Sequence, residues 1–174
     1  LIFFLKSAGC KIIKIGKRNI NVYGTTKFKS VTHKVIFDRI ETGTYIIAAA
    51  LTKGHLKIKN ISPKIISTEI KLLTKMGVNI IKKKNHIIVS CSKKLQSISI
   101  ITKPYPGFPT DLQAQMMILM TRAQGISTIQ ENIFENRFMH VPELRRMGAR
   151  IDIKENKAKI YGASKLNGAE LMAT

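Results

Sequence analysis

Leu73-Thr74-Lys75-Met76-Gly77-Val78-Asn79-Ile80 and Leu144-Arg145-Arg146-Met147-Gly148-Ala149-Arg150-Ile151 are two copies of one pattern. Leu5-Lys6-Ser7-Ala8-Gly9-Cys10-Lys11-Ile12 has the same form, at nearly the same spacing before the first copy. Each reads as the end of a helix, a glycine that closes it in the left-handed conformation, and a strand that starts at once. Gly54 and Gly125 stand at the same offset as Gly77 and Gly148. The repeating unit therefore runs helix, glycine, strand, short loop, helix, glycine, strand, hairpin turn, strand. That alternation defines the fold class as α/β (α+β).

Local signals fill in the unit. Ser62 and Pro63 predict a helix start, with Ile66, Ile70 and Leu73 on one apolar face. In the partner unit, Thr110-Asp111-Leu112-Gln113 reads as a capping box, and Leu112, Met116 and Leu119 as an apolar stripe that Gly125 ends. Pro142 belongs in the first turn of the next helix. Leu56/Ile58, Ala149/Ile151/Ile153 and Ala158/Ile160 alternate as half-buried strands do.

The chain has 174 residues, 30 Lys plus Arg against 10 Asp plus Glu, and a formal net charge of +20. A hydrophobic fraction of 44% supports a packed core and excludes a disordered basic tail. Two cysteines exclude a disulfide scaffold and a four-cysteine zinc site. No metal or cofactor is expected. No apolar run reaches the length of a transmembrane helix, so no membrane partner is expected. The opening Leu1-Ile2-Phe3-Phe4-Leu5 has no Met and no basic flank, which points to a partial chain and not a signal peptide.

The basic charge has a plain reading. Of the 30 basic residues 23 are Lys and 7 are Arg, and Ile occurs 28 times, as A/T-rich coding produces. Residues 1–100 carry 20 basic against 3 acidic side chains, whereas residues 101–150 carry 6 against 4. Gly16-Lys17-Arg18-Asn19, Lys82-Lys83-Lys84-Asn85 and Lys154-Glu155-Asn156-Lys157 fall at equivalent hairpin tips. No aromatic residues interleave with them as a base-stacking surface requires, so no nucleic-acid partner is expected.

The nearly neutral stretch holds the candidate chemistry. Pro104-Tyr105-Pro106-Gly107-Phe108-Pro109 is a stiff loop that delivers the chain to Thr110-Asp111. A carboxylate there complements the helix dipole or serves as a general base. Glu131 to His140 reads as a strand-to-helix turn, and one of two readings has its exposed backbone amides, with one Arg and one Asn, receive an anionic or sugar ligand. The competing reading is a turn packed on Phe134 and Phe138, with Arg137 paired to a carboxylate.

Three stretches together resemble one family: Asp38-Arg39-Ile40-Glu41-Thr42-Gly43-Thr44, Phe108-Pro109-Thr110-Asp111-Leu112-Gln113-Ala114-Gln115, and Phe134-Glu135-Asn136-Arg137-Phe138-Met139-His140-Val141-Pro142-Glu143-Leu144. They are similar to the UDP-N-acetylglucosamine enolpyruvyl transferases (1-carboxyvinyltransferases), as is Gly168-Ala169-Glu170-Leu171-Met172-Ala173-Thr174. The resemblance implies an inside-out α/β barrel, two domains each of three βαβαββ units. It implies transfer of the enolpyruvyl group of phosphoenolpyruvate to the 3-hydroxyl of UDP-N-acetylglucosamine with release of phosphate. By the same resemblance this is the first committed step of peptidoglycan synthesis in the bacterial cytoplasm.

On this resemblance Asp111 matches the sugar-contacting aspartate and candidate general base, and Ile133 a backbone contact to the sugar nucleotide. Thr110, Phe134 and Arg137 stand beside them as further substrate-binding candidates. Asp38 and Arg39 match the hinge between domains. The family's reactive cysteine has no counterpart. Cys10 takes the core position of Val78 and Ala149, and Cys91 follows a strand without a neighbouring Gly-Gly or Arg. Residues 1–35 then correspond to the tail of the first domain and 36–174 to about two of three units of the second. Such a chain is expected to need the missing remainder of the same enzyme for turnover. The rival readings are the sister transferase acting on shikimate 3-phosphate, a basic nucleic-acid-binding module, and a degenerate gene remnant.

Overall fold

The computed structural model describes residues 1–16 and 19–172. The expected hairpin tip at Lys17 and Arg18 lies outside the described residues. The chain divides into two compact units, Leu1–Ile36 and Phe37–Thr174.

The first unit is a helix and a hairpin: α1 (Ile2–Ser7), β1 (Lys11–Ile15) and β2 (Asn19–Tyr23), with Lys11 opposite Tyr23. Ala8 and Ile12 are buried within it.

The second unit holds the repeat. Its first copy is α2 (Arg39–Leu51), β3 (His55–Lys59), α3 (Ser67–Lys75), β4 (Asn79–Lys82) and β5 (His86–Ser90). Its second copy is β6 (Ser99–Ile101), α4 (Gln113–Thr121), β7 (Ile126–Gln130), α5 (Val141–Arg146), β8 (Arg150–Lys154) and β9 (Lys157–Tyr161). The sheets run β3-β5-β4 and β6-β7-β9-β8, so β3, β5, β4 and β7, β9, β8 share one order. β6 pairs parallel to β7; the other pairs are antiparallel. The strand starts His55 and Ile126, Asn79 and Arg150, and His86 and Lys157 all keep the offset that separates Gly77 from Gly148.

The three glycine caps are one structure. Gly9, Gly77 and Gly148 have φ of +103°, +101° and +97°. In each, the glycine N–H bonds the carbonyl three residues back, and the next N–H bonds five back: Val78 to Leu73 at 3.1 Å, Ala149 to Leu144 at 2.9 Å, Cys10 to Leu5 at 3.0 Å. A side chain at such φ is strained, so the position demands glycine. Val78 and Ala149 are buried, whereas Cys10, at the equivalent place, is half-buried.

The core lies where α2 and α4 pack together between the two sheets. Ile46, Ala50, Met116, Met117 and Met120 are essentially inaccessible. Gly43 allows the approach, since a Cβ there would collide with the Leu112 side chain. The expected stripe on α4 is wider than read: Met117 and Met120 are as buried as Leu112, Met116 and Leu119, and only the face of Ala114, Gln115 and Ile118 is partly open.

Several local expectations are corrected. α3 starts at Ser67, not at Ser62; the chain turns first, with the Ile65 N–H on the Ser62 carbonyl, and no side chain caps the helix. The α4 capping box does not form. Thr110–Leu112 is a 3-10 turn, and the Thr110 hydroxyl is engaged elsewhere. Gly125 does not end α4 but precedes β7, three residues beyond the Arg122 cap. In β8, Ile151 is buried but Ile153 is exposed at the strand's far end.

Candidate functional site

Two loops of the second repeat copy converge. One is the proline-rich segment, which returns from β6 and is fastened by the Lys103 N–H on the Phe108 carbonyl at 2.9 Å. Phe108 is buried, and the Thr68 hydroxyl donates to the Pro106 carbonyl at 2.6 Å. This loop ends in the 3-10 turn that carries Thr110 and Asp111. The other is residues 131–140, between β7 and α5.

An ion pair joins them: Arg137 Nη2 lies 2.8 Å from Asp111 Oδ1. Both side chains are about half exposed. The Arg137 guanidinium also stacks 5.6 Å from the Phe134 ring centre, and Phe134 is itself exposed. Asp111, Thr110 and Arg137 thus meet, with Phe134 beside them.

Beneath the ion pair sits a residue that sequence reading missed. Glu131 is 3% exposed and accepts four hydrogen bonds. Its Oε1 takes the Thr102 hydroxyl at 2.7 Å, the Ile133 N–H at 2.8 Å and the Phe134 N–H at 3.3 Å. Its Oε2 takes the Thr110 hydroxyl at 2.8 Å. Burial pushes the carboxyl up, but the bonds from Thr102, Ile133, Thr110 and Phe134 outweigh it and hold Glu131 below the usual carboxylate range. The Asn132 N–H goes to the Thr102 hydroxyl, and the Asn156 amide to the Glu131 carbonyl.

This corrects one expectation. The amides of Asn132, Ile133 and Phe134 do not face an open ligand site, because they are spent inside the turn. No local signal marks Glu131, whose side-chain partners lie 21 and 29 residues away.

Two cavities flank Arg137. One of about 820 Å³ is lined by residues 131–139 with Ile153, Glu155 and Asn156. The other, about 330 Å³, is lined by Thr110, Asp111, Gln113, Asn136, Arg137 and His140 among others. Buried Nε2 atoms of Gln113 and His140 have no hydrogen-bond partner among the described residues. Burial and then the charge of Arg137 hold His140 below the usual imidazole range, so it stays neutral at neutral pH.

The remaining sequence candidates lie at the start of α2. Asp38 caps that helix, its Oδ1 accepting from Ile40 N–H at 2.7 Å and Glu41 N–H at 3.3 Å. Arg39 turns toward Glu69, 3.6 Å away, and lies 4.9 Å from the Tyr105 ring centre. Cys91 is buried, and that burial pushes its thiol up, against the pull of Lys53, which is unlike an activated nucleophile.

The profile of the EPSP synthase (3-phosphoshikimate 1-carboxyvinyltransferase) family matches residues 1–174, and the chain belongs to that family. Among named proteins, it is 56% identical over its whole length to the UDP-N-acetylglucosamine 1-carboxyvinyltransferase of Pelagibacter ubique (strain HTCC1062). It is 47% identical over its whole length to the enzyme of that name from Rickettsia prowazekii (strain Madrid E). The chain spans 42% of the length of each. The enolpyruvyl transferase NikO from Streptomyces tendae superposes with a TM-score of 0.85 at 24% identity, over 96% of this chain and 40% of that one. EPSP synthase from Acinetobacter baumannii superposes with a TM-score of 0.55 at 14% identity, over 96% and 39%. The repeat units are those of the enolpyruvyl transferase fold, the inside-out α/β barrel that the family resemblance implies.

Proposed function

We propose that this chain supplies the general-base half of an enolpyruvyl transferase that acts on UDP-N-acetylglucosamine. The observation that carries the reading is the Asp111–Arg137 pair at the meeting of two loops, within a chain 56% identical to a UDP-N-acetylglucosamine 1-carboxyvinyltransferase. An alcohol that attacks C2 of phosphoenolpyruvate must lose its proton, and in this reading the Asp111 carboxylate takes it. C2 bonds to the sugar 3-oxygen as the methylene carbon gains a proton, and the resulting methyl then gives up a proton as the C2–O bond to phosphate breaks, which restores the double bond and releases phosphate. Arg137 orients the Asp111 carboxylate and yields it to the incoming hydroxyl. Phe134 offers a flat apolar face beside it, and Ile133 and Thr110 shape the wall. The Gln113 and His140 nitrogens supply polar contacts to a ligand in the smaller cavity.

In this reading residues 1–35 are the tail of one domain and 36–174 two units of another, with Asp38 and Arg39 at the hinge. The phosphate-binding groups and the acid that protonates the enolpyruvyl methylene belong to the rest of the enzyme, which would act in peptidoglycan synthesis in the cytoplasm. The second reading, transfer to shikimate 3-phosphate, is favoured by the description of the family profile. A hybrid separates them: residues 1–174 replace the matching stretch of the Pelagibacter ubique relative, and phosphate release is followed with each acceptor. The expected result is release with UDP-N-acetylglucosamine and none with shikimate 3-phosphate. The 174-residue chain alone is expected to release none.

A further inference from the structure

The two arms of the candidate site come from different loops, and their visible link is weak. The Asp111–Arg137 pair is solvent-exposed, and exposed pairs contribute little to holding a geometry. Residues 131–140 form no regular strand or helix that would fix them independently.

The buried link is Glu131. Each of its four donors belongs to a part of the site: Thr110 precedes Asp111, Ile133 and Phe134 begin the arm that ends at Arg137, and Thr102 anchors both to the end of β6. A carboxylate suits the place, because it accepts at both oxygens, donates at neither and carries the charge that strengthens all four bonds. A glutamine would turn an N–H toward at least one of these donors.

We propose that Glu131 is the positioning residue of this site: through Thr110 it sets the turn that carries Asp111, and through the Ile133 and Phe134 amides it sets the opposite arm. Its effect on turnover rests on the functional reading above; its role as a hub rests on the hydrogen bonds alone. Both carboxylate oxygens of Glu131 are engaged by protein donors, so it acts on kcat through the placement of Asp111. A displacement of about 1 Å at a reacting group costs on the order of a hundredfold in rate.

The test uses the hybrid enzyme and the full 174-residue chain. In the hybrid, Glu131→Gln is expected to lower kcat at least about tenfold with KM for phosphoenolpyruvate within about twofold. Thr110→Val should lower kcat severalfold, and Thr110→Ser, which keeps the hydroxyl, should recover most of that loss. The double variant Glu131→Gln/Thr110→Val should be no slower than Glu131→Gln alone, since both break one connection. Unchanged kcat in Glu131→Gln, or losses that multiply in the double variant, would overturn the proposal. In the 174-residue chain, the Ile133 and Phe134 amides should be protected from hydrogen exchange and lose that protection in Thr110→Val and in Glu131→Gln. Protection unaltered in both would overturn the hub whatever the hybrid does. Full activity in an Asp111→Ala hybrid would instead refute the general-base reading and leave the exchange result to judge Glu131.

Discussion

Two buried glutamates, one in each repeat copy, show opposite behaviour. Glu131 and Glu69 are each almost inaccessible, at 3% and 1%. Glu131 receives four hydrogen bonds and is held below the usual carboxylate range. Burial pushes Glu69 above that range, and its own backbone amide and Arg39 only partly offset it. Neither Glu69 oxygen has a side-chain hydrogen-bond partner among the described residues, and Arg39 stands off at 3.6 Å. The difference teaches that donors decide whether a buried carboxylate is a fixed anion, and that one distant cation is a poor substitute.

The largest expected effect breaks the Glu131 side of this comparison. Glu131→Gln should cost about 3 kcal/mol of stability in urea unfolding, because one acceptor position becomes an N–H and the remaining bonds lose the charge that strengthens them. An unchanged midpoint would mean the four bonds do not hold the loops. Thr102→Val removes one donor to the same carboxylate and should cost about 1.5 kcal/mol.

Next comes pH. Glu131 is depressed in the folded chain, so its stabilisation is present above its ordinary value of 4.5 and is lost as pH falls through its lower folded value. Glu69 is raised, so its contribution is full below 4.5 and is lost as pH rises through the higher folded value. Unfolding midpoints across that range should therefore show Glu69→Gln flattening the decline above pH 4.5. Glu131→Gln should flatten the acid decline below it. Parallel pH curves for both variants and the parent would erase the contrast. At neutral pH, Glu69→Gln should change stability by less than about 1 kcal/mol, since a neutral isostere suits that pocket. The smallest effect is Arg137→Ala, at about 0.5 kcal/mol or less, because its pair with Asp111 is exposed.

The same contrast explains what the sequence made legible. The constant offset between copies and the Leu-x-x-Met-Gly pattern located the glycine-capped helices and the strands after them, because these depend on contacts between near neighbours in the chain. Helix starts were less legible. Ser62 and Pro63 carry a helix-start signal, yet the chain turns there before α3 begins. Thr110 looks like a cap, yet its hydroxyl belongs to Glu131, brought close by the pairing of β6 with β7. The motif around Asp111 and Arg137 was readable, and the structure joins the two by an ion pair. Glu131 was not readable, since its role exists once Thr102, Thr110 and the turn after β7 are brought together. The basic charge carried less than its size suggests: Lys83 and Lys84 sit exposed at the β4–β5 hairpin tip.

The central claim is that Asp111, held in place by its surroundings, takes the proton of the acceptor hydroxyl. Phosphate release from phosphoenolpyruvate in the hybrid enzyme, with and without Asp111→Ala, tests it most directly. The expected result is release that requires UDP-N-acetylglucosamine and falls by about a hundredfold or more in Asp111→Ala, as loss of a general base entails. Near-normal turnover by the Asp111→Ala hybrid would contradict it.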